Sequence, residues 1–164
     1  MMRWFWCGIC ALTLTSCLYQ EQQRSGIRVG DSLPVFAVTM DDGTTLHSSQ
    51  LSGSPSLILF FHTGCGDCQR TIPAVQQAYE RFGDQVRFVA VSRSQSAEEI
   101  RVWWDEHAVS LPFSAQNDQA VYQLFATSRI PRIYISNAQG VVVRCYDDNP
   151  CPTIENLTKD LEDF

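Results

Sequence analysis

Two cysteines separated by two residues, Cys65 and Cys68, follow a short apolar run and precede a pattern typical of a helix. The amino end of a helix carries unpaired N–H groups and a partial positive charge, which favour a thiolate at the first cysteine. The spacing of three places the second cysteine one helical turn away, within the distance that a disulfide needs. One sulfur can then attack a disulfide while the other releases the product. The pattern therefore predicts redox chemistry.

Two other kinds of site are compatible with a lone pair of this spacing. Half of a zinc site would need a second half with matching spacing, but five residues lie between Cys145 and Cys151, and the three histidines are far from one another in sequence. A purely structural disulfide in so small a loop would remove little entropy from the unfolded chain. We therefore predict no metal site and no bound cofactor, because the cysteines themselves hold the two electrons.

The second cysteine pair, Cys145 and Cys151, brackets a short acidic loop near the end of the chain. In an exported protein such thiols can be oxidised. We predict a local structural disulfide that fixes this loop. A second redox pair that receives electrons from Cys65 and Cys68 is the alternative.

Composition limits the classes of protein to which the chain can belong. It has 164 residues, of which 45% are hydrophobic and 18% are charged. These values predict one folded domain and exclude a disordered acidic chain. The 12 basic residues are outnumbered by 18 acidic ones and are scattered singly. Nucleic-acid binding needs basic clusters that neutralise phosphates, so we predict no nucleic-acid partner.

Residues 1–16 have the pattern of an export signal. A charged start at Arg3 is followed by an apolar run that is too short to span a membrane. The segment ends in small residues before Cys17, which resembles a bacterial lipoprotein signal, so we expect cleavage there and lipid on the Cys17 thiol. An ordinary signal peptide and an uncleaved anchor are the alternatives. Residues 17–29 are expected to form a flexible tether, and residues 30–164 the domain.

Apolar patterns predict the elements that position the first cysteine pair. Ser56–Phe61 is a continuous apolar run, typical of a central strand that is buried on both faces. After the cysteine pair, apolar residues recur at helical spacing as far as Phe82, which predicts a helix, and Gly83 is expected to end it. The order β-β-β-α-β-α-α-β-β-α predicts an α/β fold in which helices flank a central mixed β-sheet. The other predicted elements are strands at 35–39, 45–47, 86–92, 133–135 and 141–146, a helix after Ser96, a short helix capped by Asp118, and a helix at 154–164.

Together these motifs resemble the thioredoxin fold and, more narrowly, the membrane-tethered, exported thiol-disulfide oxidoreductases of the TlpA type. The resemblance rests on the cysteine pair after a buried strand, on Pro73 five residues beyond it, and on Ile130–Pro131 before a later strand. An N-terminal β-hairpin extension around residues 41–43 fits the same group. The resemblance covers about residues 30–164.

The resemblance implies roles for individual residues. Cys65 would be the nucleophile and Cys68 the resolving cysteine of a redox-active disulfide. The Ile130–Pro131 bond would be cis and would line a groove in which an extended substrate forms strand-like hydrogen bonds. The residues expected to contact the substrate are Gly64, Gly66, Asp67, Ile130 and Pro131.

Partners and location follow from the same resemblance. It implies that the substrates are disulfides of exported proteins, and that a membrane electron donor restores the dithiol. The domain would be lipid-anchored on the periplasmic side of the bacterial cell envelope. Some members of the group that it resembles act in cytochrome c maturation, which implies a role of this kind. One alternative is a copper(I)-binding lipoprotein without turnover. The other alternative is a thiol peroxidase. Such an enzyme would need a threonine three residues before the reactive cysteine, and this chain has His62 at that position, which argues against a peroxidase.

Overall fold

The computed structural model of the protein describes residues 26–164. The predicted signal segment and Cys17 lie outside the described residues. None of the helices within them is long and apolar enough to cross a membrane. The strands are β1 (Ala37–Thr39), β2 (Thr45–His47), β3 (Ser56–Phe61), β4 (Arg87–Ser92), β5 (Phe113–Ser114), β6 (Arg132–Ser136) and β7 (Val142–Tyr146), and the helices are α1 (Gly66–Phe82), α2 (Ala97–Glu106), α3 (Ala120–Gln123) and α4 (Ile154–Leu161).

Five strands form the central sheet in the order β5-β4-β3-β6-β7. The middle strand, β3, runs parallel to β4 and antiparallel to β6, so the sheet is mixed. All six residues of β3 are buried, as its continuous apolar run predicts. The predicted α/β fold with a central mixed sheet and flanking helices is therefore confirmed.

The two faces of β3 contribute to two separate hydrophobic cores. Leu59 and the other odd-numbered residues pack against buried side chains of α1, α2 and α4. Phe60, which is fully buried, belongs to the opposite core, where its ring centroid lies 4.8 Å from that of Phe125 and 5.6 Å from that of Tyr122. Aromatic pairs at these distances add to the stabilisation that burial provides. The strand that leads to the cysteine pair is thus fixed from both sides.

Some elements differ from those predicted. β5 was not predicted, because it has only two residues and is defined by its pairing with β4 rather than by its own pattern. The Asp118 carboxylate accepts a hydrogen bond from the Ala120 N–H at 2.8 Å, but the residue at the N-cap of α3 is Gln119. The last helix ends at Leu161, three residues before the predicted end.

The amino-terminal part of the described chain reaches both edges of the central sheet. At the β7 edge, the Gly30 N–H donates to the Val142 carbonyl oxygen at 2.8 Å, and the Val142 N–H donates to the Asp31 carbonyl oxygen at 2.9 Å. The antiparallel β1-β2 hairpin lies near the β5 edge, where the Asp41 N–H donates to the Phe113 carbonyl oxygen at 2.8 Å. The segment before β3 is therefore hydrogen-bonded to both outer strands.

Residues 26–29, which the sequence places in the tether, contact the domain. The Ile27 N–H donates to the Phe125 carbonyl oxygen at 2.8 Å, and the Ile27 side chain packs against the core that contains Phe60. Gly26 has a φ of +92°, and a Cβ atom there would lie 2.7 Å from the same carbonyl oxygen. Only glycine allows this close approach without strain. The contacts with the domain therefore begin before the predicted boundary at residue 30.

Candidate active site

Cys65 is the N-cap residue of α1, at the end of a tight turn that follows β3. The Cys65 N–H donates to the His62 carbonyl oxygen at 3.0 Å, and the Gly64 N–H donates to His62 Nδ1 at 2.9 Å. A Cβ atom at Gly64 would lie 3.2 Å from the His62 ring, so a larger residue would crowd this turn. The turn holds the Cys65 thiol at the positive end of the helix dipole.

The two cysteines of the motif differ in exposure. Cys68 is completely buried, whereas Cys65 is only partly so. The Cys65 thiol donates to the Ile130 carbonyl oxygen, with 3.6 Å between the sulfur and the oxygen. The Ile130–Pro131 peptide bond is cis, which confirms that expectation. One sulfur thus lies at the surface beside the Ile130 backbone, and the other lies behind it in the core.

Burial raises the pKa of the Cys68 thiol above its ordinary value of 9.0. A hydrogen bond from the His62 backbone opposes this effect, and Cys65 and Asp67 add to it because a charge on either of them disfavours a second thiolate nearby. At neutral pH Cys68 is therefore held as a protonated thiol. It has to lose this proton before it can attack another sulfur.

The raised pKa predicts how the stability of the reduced protein depends on pH. The folded state holds the Cys68 proton more tightly than the unfolded chain does, so the resulting stability is present below the ordinary pKa of 9.0 and lost above it. We expect the free energy of unfolding to fall above that pH by about 1.4 kcal/mol per pH unit for this thiol. Urea denaturation of the reduced protein over a series of alkaline pH values measures the slope.

Cys68→Ala is expected to give a shallower slope, because alanine has no proton to lose. A residual slope remains in that variant, since burial also raises the pKa of Tyr134 to about 12. Val102→Ala, at an exposed position of α2, serves as the control and should keep the slope of the unmodified protein. Equal slopes in all three proteins would contradict the assignment of this proton to Cys68.

Two glutamines that the sequence analysis did not select hold Thr63, two residues before Cys65. Gln95 is nearly buried; its Oε1 accepts from the Thr63 N–H at 3.0 Å, and its Nε2 donates to Thr63 Oγ1 at 2.5 Å. From α1, Gln69 Nε2 donates to the Thr63 carbonyl oxygen at 2.7 Å. The N–H, the carbonyl oxygen and the hydroxyl of Thr63 are thus all hydrogen-bonded, and these bonds fix the loop that carries the Cys65 thiol.

A cleft of about 470 Å³ opens beside Cys65. Of the residues predicted to contact a substrate, Gly64 and Ile130 line it. The seven residues that line the cleft come from the loops that follow β3 and β4 and from the segments before α3 and β6. They are His62, Gly64, Cys65, Arg93, Ser94, Gln119 and Ile130.

The other three residues predicted to contact a substrate, Gly66, Asp67 and Pro131, do not line this cleft. Pro131 is buried below the loop surface. Gly66 and Asp67 lie in the first turn of α1, where the Asp67 carboxylate forms an ion pair with Arg70. The roles of these three residues in substrate contact stay predictions.

Arg93, Ser94 and Gln119 line the cleft and were not selected from the sequence. The first two follow β4, whose carboxyl end lies beside that of β3 because the two strands are parallel. The Arg93 N–H accordingly donates to the Phe61 carbonyl oxygen at 2.7 Å. Residues that follow neighbouring parallel strands meet at one edge of a sheet. This rule would have identified Arg93 and Ser94 once the two strands were known to be neighbours.

All four cysteines between residues 26 and 164 are free thiols. The disulfide predicted between Cys145 and Cys151 is therefore not formed in the structure. Cys151 Sγ lies 3.9 Å from both the backbone oxygen and the Oδ1 atom of Asp67, so the carboxyl-terminal loop contacts the first turn of α1. The structural disulfide and its alternative, a second redox pair, both stay predictions.

Metal binding would need ligands that converge on one point. In the part of the chain that the structure describes, no group of three or more His, Cys, Asp or Glu side chains could hold a metal ion. In the copper(I) alternative, Cys65 and Cys68 would therefore have to bind the ion without a third His, Cys, Asp or Glu ligand from the described residues.

The AhpC/TSA family matches residues 29–161, which make up most of the chain. The protein belongs to this family. Among similar proteins, the thiol-disulfide oxidoreductase ResA of Bacillus subtilis is 26% identical over 137 residues, which cover 83% of this chain and 76% of ResA. The thioredoxin-like protein YneN of the same organism is 24% identical over 130 residues, which cover 76% of each chain.

Solved structures of thioredoxin-like proteins have the same fold as this protein. The thioredoxin domain of a thiol-disulfide oxidoreductase from Bacteroides vulgatus has a TM-score of 0.72 at 18% identity, over 84% of this chain and 98% of that one. An exposed lipoprotein thioredoxin from Streptococcus pneumoniae has a TM-score of 0.67 at 16% identity, over 80% of this chain and 100% of that one. The predicted thioredoxin fold is confirmed. The protein is a thioredoxin-like thiol-disulfide oxidoreductase.

Proposed function

We propose that this oxidoreductase reduces disulfides of exported proteins, with Cys65 as the nucleophile and Cys68 as the resolving cysteine. The observation that carries the proposal is the position of the Cys65 sulfur. It lies at the amino end of α1, beside an open cleft and 3.6 Å from the Ile130 carbonyl oxygen, with Cys68 fully buried behind it. A protein disulfide can approach the first sulfur directly and the second only through the first.

The proposed reaction consists of two exchanges. The Cys65 thiolate attacks one sulfur of the substrate disulfide, so that a mixed disulfide forms and the other substrate sulfur leaves as a thiolate. Cys68 then loses its proton and attacks Cys65 Sγ, which closes the Cys65–Cys68 disulfide and releases the second substrate thiolate. The substrate gains two electrons from the cysteine pair, and the protons lost by the pair balance those taken up by the two product thiolates.

Substrate binding in this proposal uses the backbone beside Cys65. An extended peptide placed along Ile130 can form strand-like hydrogen bonds with this segment, which need no particular side chain. Such a mode suits a protein that acts on several clients, because backbone hydrogen bonds are common to all of them. Each reaction leaves Cys65 and Cys68 as a disulfide, which must be reduced before the next one. A membrane electron donor would supply the two electrons for this step, and two protons would be taken up as the dithiol forms again.

Export and anchoring are the second part of the proposal. The apolar segment before Cys17 supports export, cleavage and lipidation, which would place the domain on the periplasmic side of the bacterial cell envelope. The likeness to a Streptococcus pneumoniae protein named an exposed lipoprotein thioredoxin is consistent with this location. Exported apocytochromes c, which the TlpA-type resemblance implies as clients, are the first substrates to test.

Trapping of mixed disulfides in the cell tests both parts. Full-length Cys68→Ser is produced with its signal segment, thiol exchange is stopped with acid and an alkylating agent, and the covalent adducts are identified by mass spectrometry. We expect adducts through Cys65 with exported proteins, because the first exchange proceeds and the second does not. The double variant Cys65→Ser/Cys68→Ser is the control and should form none.

Adducts with cytoplasmic proteins alone would contradict the proposed location. An absence of adducts from Cys68→Ser would contradict the assignment of Cys65 as the nucleophile and Cys68 as the resolving cysteine.

A further inference from the structure

Arg93 brings a positive charge to the cleft beside Cys65. It directly follows β4, and its N–H bonds to the carbonyl oxygen of Phe61, the last residue of β3. Its backbone is therefore part of the same sheet edge as the turn that carries Cys65. Its side chain lines the cleft together with Cys65 and Ile130.

The Arg93 guanidinium has no carboxylate partner among residues 26–164, where five other arginines form ion pairs. Its contact there is with the ring of Tyr122, whose centroid lies 5.5 Å from the Arg93 Cζ atom. None of the residues that line the cleft has a carboxylate. The five N–H donors of the guanidinium are therefore available to a molecule in the cleft.

Tyr122 connects this cation to the backbone that faces Cys65. Its ring is buried, and its hydroxyl donates to the Arg129 carbonyl oxygen at 2.7 Å, one residue before Ile130. The same ring thus contacts Arg93 on one side and fixes the segment of Ile130 on the other. A guanidinium that rests on a fixed aromatic ring is partly preorganised, so less side-chain entropy is lost when it binds an anion.

We propose that Arg93 makes this protein selective for disulfides in which an acidic residue flanks the reacting cysteine. A carboxylate beside the cysteine of an extended substrate can accept paired hydrogen bonds from the guanidinium, which amides and hydroxyls match less well. The whole chain has 18 acidic and 12 basic residues, so its net negative charge disfavours the approach of such substrates. Selectivity for them then depends on this one local cation. The inference rests on the proposed function of Cys65.

Peptide disulfides of defined charge test the proposal. Three peptides differ only in the residue beside a single cysteine, which is Asp, Asn or Lys, and the cysteine is activated with a neutral 4-pyridyl disulfide. Attack by the Cys65 thiolate on the peptide sulfur joins the two and releases 4-thiopyridone, which is followed by its absorbance. Cys68 then frees the peptide thiol. The protein is reduced beforehand and separated from the reductant, because a free dithiol would itself release 4-thiopyridone. The second-order rate constant of a single turnover at low peptide concentration then gives kcat/KM.

We expect kcat/KM for the Asp peptide to be about tenfold higher than for the Asn peptide, which is the effect expected of one charge-assisted hydrogen bond. The difference between the Asp and Lys peptides should be larger, because the Lys side chain is repelled by Arg93. Arg93→Gln should remove the preference, and Arg93→Glu should reverse it in favour of Lys. Arg87→Gln is the matched control, because it makes the same change of charge at the opposite end of β4. It should keep the preference of the unmodified protein.

Three outcomes would overturn the selectivity of Arg93 without affecting the proposed function. These are equal kcat/KM values for the three peptides, a preference that survives in Arg93→Gln, and a uniform slowing of all three peptides in that variant. The last would mean that Arg93 acts on the thiol rather than on the substrate. Failure of the proposed function looks different, because Cys65→Ser would then still release 4-thiopyridone, or no peptide would be turned over at all.

Discussion

Cys65→Ser is expected to reduce the catalysed reduction of insulin disulfides to the background rate, a loss of roughly a thousandfold or more. A serine hydroxyl does not ionise at neutral pH and forms no disulfide, so neither exchange can begin. Precipitation of the separated insulin chains, in the presence of a chemical dithiol that restores the cysteine pair, measures the rate. The substitution changes one atom of a partly exposed side chain, so the fold should be retained.

Cys145→Ser is the matched control for this measurement. It makes the same chemical change at an exposed cysteine that does not line the cleft, and it should leave insulin reduction unchanged. A comparable loss in Cys145→Ser would favour the alternative in which Cys145 and Cys151 form a second redox pair. Turnover retained by Cys65→Ser would contradict the assignment of the nucleophile.

Phe60→Ala is expected to reduce the free energy of unfolding by about 3–5 kcal/mol. The Phe60 side chain is fully buried in the middle strand and contacts the rings of Tyr122 and Phe125, so its removal leaves a cavity that the surrounding rings cannot easily fill. Domains of this size are typically stable by about 5–15 kcal/mol, so the loss is a large fraction of the total. Equilibrium unfolding in urea measures it.

Phe164→Ala provides the corresponding change at the surface. Phe164 is 41% exposed at the end of the chain, so its truncation should cost less than about 1 kcal/mol. A loss in Phe60→Ala as small as that of the control would mean that the second core is not closely packed. Tyr122 belongs to this core and supports Arg93, so we expect the peptide preference to weaken along with stability.

The parts of the fold with a repeating local pattern could be predicted from the sequence. Continuous apolar character identifies β3, because both faces of a central strand are buried. A helical period and a capping box at Ser96 identify α2, because capping is decided by residues close in sequence. The cysteine motif likewise needs only local information, since a strand followed by a helix places Cys65 at the N-cap.

Contacts between distant segments could not be predicted in this way. β5 exists because Phe113 and Ser114 pair with β4, and a two-residue strand has no period of its own. Arg93 reaches the cleft through the parallel register of β3 and β4, which the sequence does not display. Cys151 lies beside Asp67, which is 84 positions earlier in the chain, whereas the spacing of Cys145 and Cys151 suggested only a local pair.

The hydrogen bonds from the amino-terminal segment have a consequence for association between chains. The outer strand of a sheet has unpaired backbone groups that can recruit a strand of another molecule and start aggregation. Here one such edge is occupied at Val142 by residues 30 and 31, and the other is contacted at Phe113 by Asp41. Proteolytic loss of residues 26–47 would uncover both edges at once. Residues 26–47 therefore also limit edge-to-edge association between the central sheets of two molecules.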